Sequence, residues 1–438
     1  MFAYYLQLGL RSLRRNPALT ALMVIAIGFG VAASMTTYAV FRAVSGDPIP
    51  DKSAQLFKPQ IDNWGHQHGR TSDEPPNAMD YTDAMALMRA HKAEKQTVSF
   101  PIGPSLIPAD SSAMPINVVG FATYADFFSM FEVPFKYGGA WPASDDAQHA
   151  STVVINAKLN QRLFGGSNSV GKSINLEGHD YRIAGVTDNW NPQPRFYDVV
   201  NGGGFSTPPQ IYIPFSRAID LQMQTFGNNS CNGPGGRGDS FADYLRSDCV
   251  WLSYWAQLPT AAAVASYRSY LQAYAADQQR AGRFHWAPNI RLRNVMQWLD
   301  YQKVVPPETQ VSLLLSLGFL VVCLVNTIGL LLAKFMRRAP EIGIRRALGA
   351  SRREIYAQFL AEAAMVGVAG GLLGLLLTAL GVLGVGLVFE SQIARLARVD
   401  PALIGLTLLV AIVATVIAAL YPTWRASRVQ PAWQLKSN

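Results

Sequence analysis

Four stretches of the chain carry no charged residue and are long enough to cross the hydrocarbon core of a bilayer, which takes roughly 20 apolar residues. They are Asn16 to Phe41, Thr309 to Ala333, Ala363 to Phe389 and Pro401 to Trp424. Each reads as a membrane-spanning helix. The composition agrees: half of the 438 residues are hydrophobic and 15% are charged. The formal charge of +8 does not mark a polynucleotide-binding face, because the segment between the first and second stretches is slightly acidic and the basic excess flanks the apolar runs. No nucleic-acid partner is expected.

Arg11, Arg14 and Arg15 precede the first stretch, seven basic residues lie from Lys334 through Arg353, and Arg425, Arg428 and Lys436 follow the fourth. Positive-inside logic therefore places both termini and the middle loop in the cytoplasm, and Val44 to Gln310 outside it. The alternative for the first stretch is a cleaved signal peptide, with Ala43-Val44-Ser45 as a small-residue cleavage site. The apolar run is longer than the roughly 7 to 15 residues of a signal-peptide core, which favours a retained helix. Cys231 and Cys249 lie in the external segment and Cys323 in a span. An exported compartment permits a Cys231–Cys249 disulfide; two unpaired thiols are the alternative.

Within the external segment, Thr152-Val153-Val154-Ile155 and Tyr181 to Val186 read as short strands, and Asp80 to Lys95 and Ala261 to Gln279 as helices. The mixture predicts an α+β domain. From Asp188 to Asp248 the chain is rich in Gly, Pro, Asn and Ser, and a long, partly ordered loop is expected there. Gly166-Ser-Asn-Ser-Val-Gly171-Lys172-Ser173 satisfies the phosphate-loop pattern, but that motif needs a strand before it and a helix after it. Here a helix end, Leu159 to Phe164, precedes it and a strand-like Ser173 to Leu176 follows. Nucleotide binding is not expected at this position. His66-Gln67-His68 has no further nearby ligands, and Arg237-Gly-Asp239 is unremarkable in a Gly-rich loop. No metal site and no catalytic constellation is predicted.

The most informative segment is Arg337 to Tyr356. Pro340 suits a first helical turn, Glu341 favours its positive end, Glu341 and Arg345 form an i,i+4 pair, Ile344 and Leu348 share a face, and Gly349 supplies a stop. Ser351 and Glu354 have capping-box spacing and start a second helix leading into the third span. A short helix, a sharp turn and a membrane helix make a rigid lever that could dock into a partner; a plain basic loop against lipid headgroups is the alternative. The chain from Arg291 to Ala333 is expected to run as a helix rising beyond the membrane, kinked or broken at Pro306-Pro307.

Glu341 to Ile355, followed by Gln358-Phe-Leu-Ala-Glu362-Ala, resembles the signature of MacB/FtsX-type ABC transporter permeases. Leu13 to Pro17 with Gly28 to Ala33 resembles that family's first helix, Tyr421 to Arg428 with Pro431 its C-terminal closure, and Leu163 to Gly165, Gly171-Lys172 and Ala184 to Val186 an external-domain pattern. The resemblance implies four spanning helices with a large α+β extracytoplasmic domain between the first two. It also implies a permease that dimerises with a second copy or a paralogue and does no chemistry itself. A cytoplasmic ABC ATPase, binding ATP and Mg, would grip it through Glu341, Ile342, Gly343, Ile344, Arg345, Arg346, Leu348, Gly349, Ser351, Arg352 and Glu354. The motor would be a separate polypeptide. The implied division is 1–44 for the N-terminus and first span, 45–305 external, 306–336 second span, 337–356 coupling elbow, 357–389 third span, 390–400 external loop, 401–424 fourth span and 425–438 tail. Porter halves would lie near 49–121 and 250–293, with a sabre-like insert at 122–249. The implied location is the inner membrane. The implied role is mechanotransmission for export or efflux, with a periplasmic adaptor and outer-membrane channel where two membranes exist. Lipoprotein extraction or cell-wall enzyme control by the same mechanism, or a sensor or scaffold, are the alternatives.

Overall fold

The computed structural model describes residues 16–65, 73–108, 114–232, 238–388 and 399–428. They form two compact units, one of Gly46–Val304 and one of the segments up to Ser45 and from Val305 onward. His66, His68, Arg237, Pro431, the basic residues Arg11, Arg14, Arg15 and Lys436, and most of the 390–400 loop lie outside the described residues.

Helix α1 (Pro17–Ser45) ends at the start of the Gly46–Val304 unit. That unit begins with β1 (Leu56–Ile61), α2 (Tyr81–Ala90) and β2 (Lys95–Ile102). The Asp80 carboxylate caps α2 by accepting the Asp83 N–H. The unit closes with β11 (Ser253–Gln257), α4 (Ala261–Arg280) and β12 (Ile290–Asn294). In space these strands stand in the antiparallel order β12-β1-β11-β2, a β-α-β-β-α-β pattern split in sequence by everything between Gly103 and Leu252.

The intervening residues extend the same sheet outward from β2. Next to β2 comes β5 (Gly120–Thr123), then β10 (Ile211–Pro214), β7 (Thr152–Asn156), β9 (His179–Thr187), β8 (Ser173–Leu176), β3 (Ser105–Ile107) and β4 (Ile116–Asn117), with β6 (Phe135–Gly138) also on β9. The two strands read from sequence lie inside β7 and β9, and the two helices are α2 and α4; Lys95 opens β2 instead of closing a helix.

The expectation of a long loop from Asp188 to Asp248 fails at Ile211–Pro214. This four-residue run, every residue buried, is an interior strand, parallel to β5 and antiparallel to β7. It is too short to show an alternating pattern, and what selects it is the strand on either side. Gly120 makes the pairing possible: a Cβ there would lie 2.4 Å from the Ile211 carbonyl oxygen. The same segment also contains the short helices Val199–Gly202, Phe215–Asp220 and Phe241–Arg246. Cys231 and Cys249 are disulfide-bonded across 18 residues, next to a bridge between Ser230 and Val250. Closing a loop of that length restricts the unfolded chain by about 3 kcal/mol. Replacing both cysteines with Ala should therefore lower the unfolding free energy of this unit by about that amount, read from denaturant unfolding of the full chain under oxidising conditions.

Successive strand residues face opposite sides of the sheet, and both sides are buried. Phe57, Val98, Ala122, Val153 and Ala256 join one core. Leu56, Phe121, Val154 and Trp255 join a second, aromatic core with Phe127, Phe131, Phe196 and Tyr197. Rings in the second core meet edge to face, as Phe127 and Phe131 do at 4.7 Å and Phe196 and Trp255 at 5.4 Å.

Lys58, two residues from Leu56 on β1, shares the aromatic side and is 3% exposed. Burial pushes its pKa from 10.5 to about 7, against the opposing pull of Asp198. The unfolded chain therefore holds this proton more tightly, and stability rises with pH across the window from about 7 to 10.5. Below that window the full cost is present, on the order of a few kcal/mol. Lys58→Met should raise the melting temperature of the full chain more at pH 6 than at pH 9, measured by thermal unfolding at both.

Among the described residues, four helices are long and apolar enough to cross a membrane. These are α1, α6 (Pro307–Met336), α8 (Arg352–Val388) and α9 (Pro401–Ser427). The helix expected from Arg291 to Ala333, kinked or broken at Pro306-Pro307, forms only in part. Arg291 to Asn294 pair with β1, the Asn294 and Gln297 side chains form a capping box that starts α5 (Val295–Tyr301), and α6 begins anew with Pro307 in its first turn. The break expected at Pro306-Pro307 is where the new helix starts, since Pro is favoured at a first helical position and interrupts an interior one.

The spanning helices are close-packed through small residues and hydroxyls. At Gly367 a Cβ would lie 3.0 Å from Ile412 Cα and 3.1 Å from the Ala411 carbonyl oxygen, so α8 and α9 touch backbone to backbone there. Ser34 Oγ donates to the Ser316 carbonyl oxygen at 3.0 Å, and the Thr37 and Ser316 hydroxyls lie 2.6 Å apart, joining α1 to α6. At the far end of α1, Arg42 pairs at 2.7 Å with Asp400, whose other oxygen caps α9.

Candidate functional site

The elbow between the second and third spans is α7 (Ala339–Ala347), a turn at Gly349, and the start of α8. Pro340 sits in the first turn of α7 and Glu341 follows it. Gly349 has φ +100°, a left-handed backbone that ends the helix where a residue bearing a Cβ would be strained. The Ser351 hydroxyl accepts the Glu354 N–H at 3.2 Å and the Glu354 carboxylate accepts the Ser351 N–H at 2.9 Å, which restarts the chain as α8. The punctuation read from the sequence is all present.

Two faces of the elbow behave differently. Ala339, Ile342 and Gly343 are buried against the bundle. Ile344 is 61% and Leu348 83% exposed, next to exposed Gly349, Ser351, Arg352 and Glu354. A helix of nine residues that turns large apolar side chains outward as well as inward is not stabilised by burial alone.

Its bracing is ionic. Glu341 accepts from Arg345 at 2.8 Å and from Arg338 at 3.4 Å, and Arg345 also donates to the Gln358 amide oxygen at 2.9 Å. Arg338 in turn donates to both Glu362 oxygens, at 2.9 and 3.2 Å. Lys334 of α6 lies 3.3 Å from Glu362 as an ion pair. Arg338 also stands over the Phe359 ring, which packs 4.3 Å from that of Phe335. Arg346 donates to the Ser427 carbonyl oxygen at the end of α9 at 3.5 Å. One network thus ties the elbow to α6, α8 and α9.

Lys334, Arg338, Gln358, Phe359 and Glu362 are absent from the expected coupling residues, although they hold those residues in place. The signal for them was available: Lys334 and Glu362 are charges that abut the apolar runs ending at Ala333 and starting at Ala363. Ionisable residues at that depth have partners facing the bundle interior. Both are almost wholly buried, Lys334 at 1% and Glu362 at 2%.

The phosphate-loop match has the reversed context expected for it. Helix α3 (Ala157–Phe164) ends in Gly165 and Gly166, both at positive φ, and Ser173 opens β8. The Lys172 ammonium stands 5.0 Å from the Phe164 ring centre, and the Ser169 hydroxyl donates to the Asn160 amide oxygen at 2.6 Å. These side chains serve the local fold.

Residues 20–274 match the MacB-like periplasmic core domain and residues 313–431 the FtsX-like permease C-terminal domain. The chain belongs to the MacB/FtsX family of ABC transporter permeases. It is 33% identical over 307 residues to a macrolide export ATP-binding/permease protein, MacB, of Bdellovibrio bacteriovorus, covering 68% of this chain and 41% of the relative. It is 25% identical over 342 residues to a pyoverdine export ATP-binding/permease protein, PvdT, of Pseudomonas entomophila, covering 77% of this chain and 45% of that one. A MacB protein of Paracoccus denitrificans aligns over 99% of this chain and 58% of its own length at 25% identity. The chain spans about half the length of the curated relatives it matches. In this permease the domain after α1 is accordingly of the periplasmic type, and the elbow lies in the FtsX-like part.

Removing the carboxylate at the centre of the network strands a buried ammonium. Glu362→Ala should destabilise the permease by about 3 kcal/mol, and adding Lys334→Met should recover part of that loss. Thermal unfolding of the single and double variants in the same detergent measures the coupling.

Proposed function

We propose that this permease carries the energy of ATP hydrolysis, performed by a nucleotide-binding partner, into movement of its periplasmic-type domain in the service of export, and that the elbow is where the partner grips. The observation that carries the proposal is the division of labour within α7: Ile344 and Leu348 project outward while Glu341, Arg345 and Arg338 anchor the same helix to Gln358 and Glu362. An exposed apolar pair on a braced helix is suited to receive a push and pass it to α6 and α8. Association with a nucleotide-binding partner, carrying the ATP and Mg, is in keeping with the family and with the relatives' names, which join ATP binding to permease and specify pyoverdine or macrolide export.

In this reading the elbow and both termini face the cytoplasm of the inner membrane, as the basic residues around the spans favour. A second permease subunit completes the unit, and a periplasmic adaptor with an outer-membrane channel would continue the export route. The split β-α-β-β-α-β part would be the porter and the inserted strands the sabre-like part.

Leu348 is 83% exposed, so Leu348→Asp leaves the interior intact while placing a charge on the gripping face. It should reduce co-purification of the nucleotide-binding partner at least about tenfold, corresponding to about 1.4 kcal/mol, with the melting temperature of the permease unchanged. Undiminished co-purification and ATP-dependent activity in this variant and in Glu341→Lys would refute the gripping role.

A further inference from the structure

The periplasmic-type domain encloses a polar cavity that the transmission of force does not use. It lies where β1, β11 and α5 meet the turn of Phe196–Asp198, and its lining includes Lys58, Asn77, Tyr197, Trp251, Ser253 and Trp298. The cavity has room for one oxygen-sized group, about 10 Å³. It shares Asn77, Ala78, Val199, Val200 and Asn228 with a wider polar cleft of about 560 Å³, whose walls also carry Trp64, Pro75 and Tyr301.

Several polar groups of the lining residues are short of partners. Lys58 Nζ donates to Ser253 Oγ at 3.0 Å, and the Ser253 hydroxyl is itself spent on the Tyr197 carbonyl oxygen at 3.1 Å. The ammonium also stands over two ring faces, Trp298 at 4.9 Å and Trp255 at 5.6 Å. The Trp251 indole N–H, the Tyr197 hydroxyl and the Asn77 amide oxygen have no hydrogen-bond partner within the chain. Trp251 is 2% and Tyr197 1% exposed. Leaving such groups unpaired is costly in a folded interior.

Charge decides which ligand would pair them. Asp198 is the nearby anion, but Arg195 holds one of its oxygens at 2.6 Å and Asn201 the other at 2.6 Å. In its protonated form Lys58 is a cation whose potential counter-charge is already committed, and the site then carries one net positive charge. An ammonium and an indole N–H are donors, which suits a single oxyanion; the Asn77 amide oxygen is an acceptor, which such a ligand does not pair. A phosphate dianion would need a second uncommitted cation, and a second ammonium is repelled.

We propose that this cavity and the cleft outside it form a binding site for a monocarboxylate ligand, one carboxylate oxygen of which enters the cavity to meet Lys58 while its body lies against the Trp64, Pro75 and Tyr301 wall of the cleft. The site is independent of the elbow and of any nucleotide-binding partner.

The test uses the full-length permease in lipid nanodiscs with benzoate and hippurate as probes, each compared with its amide, benzamide and hippuramide. Tryptophan fluorescence and ligand-detected NMR read the binding. At least one acid should bind about tenfold or more tighter than its amide, as a charge-assisted hydrogen bond implies. Lys58→Met should abolish that difference, and Trp251→Phe, which removes the indole donor and keeps the ring, should weaken the acid severalfold while leaving the amide unchanged. Equal binding of acid and amide, no binding of either acid at 50 mM, or an acid preference that survives in Lys58→Met overturns the proposal. Trp251→Phe decides in the same way should Lys58→Met not fold.

Discussion

The buried carboxylate of Glu362 is the point on which the helical unit turns. Two cations from the end of the second span and the start of the elbow, Lys334 and Arg338, converge on it. A carboxylate among apolar helices is tolerable when its charge is matched and its oxygens are bonded. Glu362 therefore needs Lys334 and Arg338 where they are, which fixes the direction in which the chain leaves α6. Glu341 and Arg345 extend the same network to Gln358, so that α7 inherits its position from a charge inside the bundle. The result is a short helix with little apolar burial of its own that is nonetheless held on several sides.

The domain of Gly46–Val304 solves a different problem. Its sheet is buried on both faces, with an aliphatic and aromatic core on one side and a core richer in aromatic rings on the other. Large rings meeting edge to face tolerate few polar intrusions, yet Lys58 is placed among them with a depressed pKa and a single hydroxyl acceptor. Structural economy would favour Met at that position. Retaining a buried amine beside unpaired donors of Trp251 and Tyr197 is the kind of local conflict that marks a binding site in an otherwise consistent core.

Much of this was legible in the residues, for reasons that can be named. The spanning helices are declared by length and absence of charge, and the elbow by Pro340, Gly349 and the Ser351–Glu354 box, each acting within a few residues of itself. The α2 and α4 helices and the strands β7 and β9 likewise follow from local periodicity and caps. The failures are equally specific. Ile211–Pro214 is a strand because β5 and β7 leave a slot between them, and four residues in a Gly- and Pro-rich context hold no record of that slot. Arg291 to Asn294 became a strand because β1 offered an edge, so a helical reading extended backward from α6 could not survive. Glu362 was visible as a charge at the margin of an apolar run and within the family-like signature, but not as the meeting point of Lys334 and Arg338.

The sequence by itself determined that this chain spans a membrane four times, carries an α+β domain after the first span, and folds an elbow between the second and third. Those properties depend on hydrophobic length, backbone capping and turn residues, all of which act at short range along the chain. Only the tertiary structure decided which strand fills the middle of the sheet, which cations meet Glu362, and that Lys58 lines a buried cavity. Those outcomes depend on partners distant in sequence, because pairing in a sheet and pairing of buried charges are each settled by what the other side presents.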